Sequence, residues 1–300
     1  MSNRELTLEN AIFFFDIDDT LIDTALLHKD GVKGIIQAII KHSGFSEIGR
    51  EFGQKVDEIF DLMLAGYRVK EKKDWQHVPG GKKAYKGLLA KIEHYQKNIK
   101  EKWGSIKKWS REVFIKIAAD ELGIEMTPSL VEKAAQAYWR KISEKMELFD
   151  HAKAFFNQLN KLGRPIYLIT SSDARLKLAN DGRFVYNPKY SEKLKRQRMQ
   201  ILTEKGLKFR QIIVGDPEDK PSIQFFEKGL KVAEEDLENI IDRSKCLIVG
   251  DSYKGDIEVP IRELGFGLGV IFSKGSKFKK EEDNLISVGR LTDINKAFND

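Results

Sequence analysis

Asp16-Ile-Asp18-Asp19-Thr20 places three carboxylates and a hydroxyl side by side, directly after the apolar run Ala11-Ile-Phe-Phe-Phe15. Three further segments carry groups of the same kind. Thr170-Ser171-Ser172 offers hydroxyls, Asp219-Lys220-Pro221 a cation, and Gly250-Asp251 another carboxylate with Asp256 five residues on. Carboxylates that converge in one crevice repel each other unless a cation neutralises them. Oxygen-only donors suit a hard metal, and Mg²⁺ is the ordinary choice beside phosphate. A carboxylate next to such an ion can attack phosphorus and carry the phosphoryl group as an acyl phosphate. A second carboxyl two residues on can protonate the leaving oxygen and later activate water. A hydroxyl and a lysine can hold the phosphoryl oxygens as charge builds on them. Asp-x-Asp alone decides nothing, because Asp18 to Thr20 could equally cap a helix. A calcium loop is excluded, since no glycine and distal glutamate follow in register.

Other chemistries find less support. The single cysteine, Cys246, rules out an internal disulfide framework and a cysteine-built zinc site. It lies in an apolar strand and reads as buried and inert. His28, His42, His77, His94 and His151 lack a zinc-type His-x₃-His spacing. Ser171 and Ser172 have no glycine elbow around them. Pro79-Gly80-Gly81-Lys82-Lys83 lacks the preceding strand and the spacing of a phosphate-binding Walker loop, and reads as a turn.

The elements that would position these groups follow from the periodicity. Ala11-Ile-Phe-Phe-Phe15 reads as a buried strand running into a polar loop. From about 25 to 147 the apolar residues recur at three and four, as in Val32, Ile35, Ile36, Ile39 and Ile40, or Phe52, Val56, Ile59, Phe60 and Met63. Further helices are expected near 82–100, 106–122 and 128–146, the last capped by Thr127 with Pro128 at its first position. After 150 the texture alternates: helix 151–162, strand 165–170, helix 189–205, strand 211–216, helix 221–230, strand 245–251, helix 255–264 and strand 267–272. Alternation of this kind means a parallel sheet covered on both faces. The fold class is therefore α/β, a Rossmann-like three-layer core with an all-helical insert after the first strand. The core is expected over 1–24 and 148–300 and the insert over 25–147. In open parallel sheets the site lies at the carboxyl ends of the strands, where Asp16, Thr170 and Asp251 stand.

The ordered set Phe13-Phe-Phe-Asp16-Ile-Asp18-Asp-Thr20-Leu-Ile, Leu168-Ile-Thr170, Lys220-Pro and Val249-Gly-Asp251-Ser-Tyr-Lys-Gly-Asp256-Ile resembles the four motifs of the haloacid dehalogenase superfamily. The resemblance covers the core; the insert matches only in position and helical character. It implies that Asp16 is the nucleophile and Asp18 the general acid/base. Thr170, with Ser171 beside it, would bind a phosphoryl oxygen, and Lys220 would steady Asp16 and the transferring group. Asp16, the main-chain carbonyl of Asp18, and Asp251 would bind Mg²⁺, with Asp256 supporting the metal. The insert would be a cap that closes over the site. The superfamily's dehalogenases lack the acid at the position of Asp18, so the resemblance points to phosphoryl transfer through an aspartyl-phosphate. It leaves a phosphatase as the leading expectation and a phosphosugar mutase as the alternative. Ser171 stands where many relatives have asparagine.

Charge adds a question about partners. The 300 residues hold 52 Lys and Arg against 46 Asp and Glu. Residues 68–111 hold 14 cations and 4 acids, so the rest of the chain is slightly acidic. A second basic stretch runs from Lys193 to Arg210. Such fields attract anions. The expected substrate is a small phosphorylated metabolite, or a more strongly anionic one such as a nucleotide. Trp75, Tyr85, Tyr95, Trp103 and Trp109 lie among the first cations, so a non-catalytic RNA or polyanion binder is a further alternative. Helical spacing favours a core role for these aromatics. Met1 to Asn10 has no apolar segment of leader length, and no stretch approaches a membrane span, so a reducing cytoplasm is the expected compartment.

Overall fold

The computed structural model describes residues 6–72 and 74–298. Part of the first ten residues, Met1 to Glu5, and Lys73 of the first basic stretch lie outside them. The chain forms two compact units. The first comprises Met1–Ala25, Met146–Ser172 and Lys195–Asp300; the second comprises Leu26–Lys145 and Asp173–Leu194.

The first unit is built on a seven-stranded sheet. β1 (Ile12–Asp16) lies inside it, between β2 (Ile166–Ser171) and β6 (Cys246–Gly250). β5 (Gln211–Gly215) flanks β2, and β7 (Leu268–Phe272), β9 (Leu285–Val288) and β8 (Lys279–Glu282) extend the other side. All pairings are parallel except β8 with β9. Three consecutive phenylalanines can occupy β1 because both faces of the sheet are covered. Phe13 and Phe15 point to one face, where they meet Phe155 and Phe156 of α7 (Asp150–Lys161). Phe14 points to the other and packs on Tyr167 and Phe266. Each ring is at most 2% exposed, a burial that stabilises by roughly 1.5–3 kcal/mol per side chain. α9 (Ile223–Leu237) turns Phe225, Phe226, Leu230 and Ala233 onto that second face.

The sequence reading is met closely for β1, β2, β5, β6, β7 and α7. It misses β8 and β9, which are four residues each, and the former is wholly exposed. The helix expected at 255–264 is instead a π-helical turn, Tyr253–Ile257, followed by α10 (Glu258–Arg262).

The second unit is mostly helical: α1 (Thr24–Ser43, its first two residues in the other unit), α2 (Ser46–Lys72), α3 (Gly81–Tyr95), α4 (Lys97–Trp103), α5 (Arg111–Glu121) and α6 (Pro128–Lys145). Thr127 Oγ1 caps α6 by accepting from the Leu130 amide, 3.3 Å away. The single helix expected over 82–100 breaks at Gln96, whose buried amide exchanges hydrogen bonds with Lys107 of the following loop. α5 is the axis of this unit, buried from Arg111 to Ala119 except Lys116. Of the aromatics among the cations, Tyr85 is core, whereas Trp103 is 36% exposed.

Residues 173–194 depart from the expected division. They carry a short antiparallel pair, β3 (Leu176–Leu178) and β4 (Phe184–Tyr186), and the first turns of α8 (Pro188–Glu204). They group with the helical unit rather than the sheet through ring contacts, Phe184 with Tyr95 and Tyr186 with Trp103, and through polar ones. The buried Arg175 pairs with the buried Glu112 at 2.5 Å. Asn98 donates to the Phe184 carbonyl, and the Tyr190 hydroxyl lies 3.1 Å from Glu132. Strands of three residues carry too short a period to announce such contacts. Among the described residues no helix is long and apolar enough to cross a membrane.

Candidate active site

The ends of four strands, β1, β2, β5 and β6, supply the site. β1 ends on Asp16, and the chain then makes a tight turn in which Leu21 and Ile22 donate back to the Ile17 carbonyl. Asp19 sits in that turn at φ 62°, a left-handed conformation that aspartate tolerates better than most residues. The turn brings Thr20 back over Asp16, so that its hydroxyl donates to Asp16 Oδ2 at 3.1 Å.

Lys220 follows β5 and precedes α9, whose start is capped by Ser222 accepting from the Phe225 amide. The Lys220 ammonium donates to Asp16 Oδ1 and, at 2.7 Å, to Asp256 Oδ1. Its side chain is 7% exposed. Asp256 comes from the π-helical turn after β6, and its Oδ2 accepts from the Ser252 amide at 3.0 Å. That approach needs Gly250: a Cβ there would lie 2.3 Å from the Asp256 Cβ. Asp16, Asp251 and Asp256 each turn one carboxylate oxygen into a group whose members lie within 4.8 Å of one another.

Such a gathering is electrostatically costly. Burial pushes the Asp16 carboxyl well above its usual range; Lys220 opposes this, and Asp256, Asp251 and Asp18 add to it. Asp251 is pushed up to about 7 by lost hydration and then by the charges of Asp256 and Asp19. Its side chain opens to solvent, so the facing carboxylates are the firmer cause. Burial would lower Lys220, but Asp16 and Asp256 hold it above the ordinary lysine value. One ammonium thus faces three carboxylates, all oxygen donors. The set fits a hard divalent cation, which would relieve the remaining repulsion.

Asp18 stands apart from this trio. Its Oδ2 lies 2.6 Å from the Lys195 ammonium and 3.2 Å from Thr170 Oγ1, and its Oδ1 accepts from Thr24 at 2.8 Å. Arg198 reaches within 3.9 Å. Burial alone would raise Asp18, but Lys195 and Arg198 outweigh it and hold the carboxyl well below its usual range. Thr170 is fully buried at the end of β2 and sits 3.2 Å from both Asp18 Oδ2 and the Ser171 carbonyl. Ser171 beside it is half-buried. The expected site residues therefore fall into two linked clusters: Asp16, Lys220, Asp251 and Asp256, and Asp18 with Thr170.

Lys195 and Arg198 were not singled out for the site by sequence reasoning. Both lie on α8, in the second basic stretch. The available signal was their spacing: Lys195, Arg198, Met199 and Leu202 form one buried face, so two cations share the apolar stripe of a helix.

A family model of the haloacid dehalogenase-like hydrolases matches residues 11–261. The chain belongs to that family. No curated protein sequence matches the chain. Among solved structures, this hydrolase is similar to the haloacid dehalogenase-family protein YfnB of Bacillus subtilis, solved bound to magnesium, at 14% identity and a TM-score of 0.50, covering 97% of this chain and 99% of that one. It is similar to a phosphatase of the family from Thermococcus onnurineus, at 14% identity and a TM-score of 0.50, over 96% and 98% of the two chains. A β-phosphoglucomutase-like protein of Thermotoga maritima shares 12% identity at a TM-score of 0.52, over 95% and 97%. At these identities the likeness is one of fold. Asp16 and Asp256 are the two buried, lysine-held members of the acidic trio.

Proposed function

We propose that this hydrolase cleaves phosphomonoesters through an aspartyl-phosphate on Asp16. The observation that carries the reading is the pairing of two unlike carboxyls two residues apart. Asp16 lies in an acidic trio bridged by Lys220, and Asp18 lies beside the Thr170 hydroxyl. Asp16, Asp251 and Asp256 would hold Mg²⁺, together with the main-chain carbonyl of Asp18. When bound, the ion supplies positive charge opposite the phosphoryl oxygens.

The chain's own groups then divide the work. A carboxylate oxygen of Asp16 forms a bond to phosphorus as the bond from phosphorus to the ester oxygen breaks. Asp18, once protonated and turned from Lys195, gives its proton to that departing oxygen. In the second step Asp18 takes a proton from water as the water oxygen attacks phosphorus, releasing phosphate and restoring Asp16. Thr170, Ser171 and Lys220 donate to the phosphoryl oxygens throughout. The helical unit is read as the cap that selects the substrate, a small phosphorylated metabolite or a nucleotide. In the alternative, a mutase, the phosphoryl group passes to a sugar hydroxyl instead of water, and product analysis separates the two.

Asp16→Asn should abolish Mg²⁺-dependent hydrolysis of p-nitrophenyl phosphate while the circular dichroism spectrum stays unchanged. Wild-type turnover in that variant would refute the nucleophile.

A further inference from the structure

α8 brings to the site a pair of cations that the reaction as written does not use. Lys195 is 1% exposed and Arg198 is 5% exposed at the side chain, and both are turned toward Asp18, whose own side chain is 30% exposed. The Lys195 ammonium and the Thr170 hydroxyl meet at the same oxygen, Asp18 Oδ2, at 2.6 and 3.2 Å. Asp18 is thus a carboxylate held between a buried lysine and a hydroxyl, with its outer side open. To act on a leaving group beside Asp16 it must give up that position. Release of Asp18 takes one anionic partner from the buried ammonium, a loss that an incoming anion offsets. The incoming anion has a ready place, the point where Lys195 and Thr170 converge.

We propose that Lys195, supported by Arg198, is an anion-binding residue for the substrate, and that Asp18 occupies its place in the substrate-free protein. An oxyanion of the substrate exchanges with the Asp18 carboxylate at Lys195, and the exchange frees Asp18 for proton transfer. The ligand chemistry is a phosphate or carboxylate oxygen. Its source is either the transferring phosphoryl group or a second anionic group on the same molecule. The proposal rests on the phosphatase reading for the identity of the substrate, but anion binding at Lys195 is measurable without turnover.

Two measurements test it. Inorganic phosphate is titrated by calorimetry into wild type, Lys195→Gln, Lys195→Arg and Arg198→Gln, with Mg²⁺ present. Loss of one charge-assisted contact is expected to weaken binding by about tenfold or more in Lys195→Gln, with the arginine variant regaining much of it. In wild type, alkyl phosphates that end in a carboxylate are compared with those that end in a methyl group. Phosphate binding that weakens in Lys195→Gln, with no preference for the carboxylated esters, assigns the anion to the transferring group. A preference in kcat/KM that vanishes in Lys195→Gln assigns it to a second anionic group.

If Lys195→Gln binds phosphate as wild type does and wild type shows no preference among the esters, Lys195 only holds Asp18 and the proposal is overturned. Should Lys195→Gln fail to fold, unchanged phosphate affinity in Arg198→Gln together with the absence of an ester preference in wild type overturns it equally. Absence of any Mg²⁺-dependent ester hydrolysis would instead refute the phosphatase reading, leaving the calorimetric result to decide Lys195.

Discussion

Lys220 is the residue on which the acidic trio depends before any metal arrives. It bonds Asp16 and Asp256 at once, and all three side chains are at most 7% exposed. Replacing it by methionine leaves two buried carboxylates without their shared counter-charge, a loss of about 3–5 kcal/mol by analogy with broken buried pairs. In the proposed reaction it also removes a donor to the phosphoryl oxygens, a loss of roughly 10²–10³ in kcat. Lys220→Met should therefore lower both the denaturation midpoint and the turnover of p-nitrophenyl phosphate. A variant as stable and as active as wild type would show that the lysine is incidental. Lys220 and its two partners were legible beforehand, because each sits at a strand end or helix start in a recognisable order. Lys195 was not, since a lysine in a basic stretch reads as solvated until the fold shows which way it points.

At the scale of elements, the helical unit hides a titratable group of its own. His28 on α1 stacks on Phe60 with ring centroids 3.5 Å apart, and its Nδ1 lies 2.7 Å from the Tyr138 hydroxyl. Asp57 Oδ1 is 3.2 Å from its Nε2, but burial first and the Arg111 guanidinium second keep the ring neutral, lowering it to about 3. That guanidinium stands over the rings of Phe60, Phe114, Tyr138 and Trp139. In the unfolded chain the imidazole takes its proton near 6.5. Between about 6.5 and 3 the unfolded state binds more protons, so His28 contributes stability above that window and loses it as pH falls through it. The urea midpoint should therefore drop more steeply on acidification in wild type than in His28→Asn. Parallel slopes would refute this assignment. Five scattered histidines gave no hint of it, because a histidine at an apolar helix position is ordinary until its neighbours are known.

For the whole molecule, the metal should be visible as stability. A divalent ion held as proposed by the three carboxylates within 4.8 Å of one another, two of them pushed up, would bind the folded protein and not the unfolded chain. At about a hundred times its Kd, Mg²⁺ should stabilise by about 2.7 kcal/mol, read as a rise in melting temperature. Asp251→Asn should lose most of that rise, and a melting temperature indifferent to Mg²⁺ would remove the metal from the account. The order of amino acids alone settled the sheet's central strands and the carboxylates and hydroxyls at their ends. β1, β2 and β6 are continuous apolar runs, which only a doubly covered parallel sheet accommodates, and the polar residue that follows each must lie at the sheet's rim. Tertiary structure alone decided that residues 173–194 join the helices, that Lys195 and Arg198 turn inward onto Asp18, and that His28 is buried. Those outcomes rest on single contacts between residues far apart in the chain, such as Arg175 with Glu112, Tyr95 with Phe184 and His28 with Phe60. Apolar burial along a long element leaves a period to read, whereas one ion pair or one ring contact leaves none.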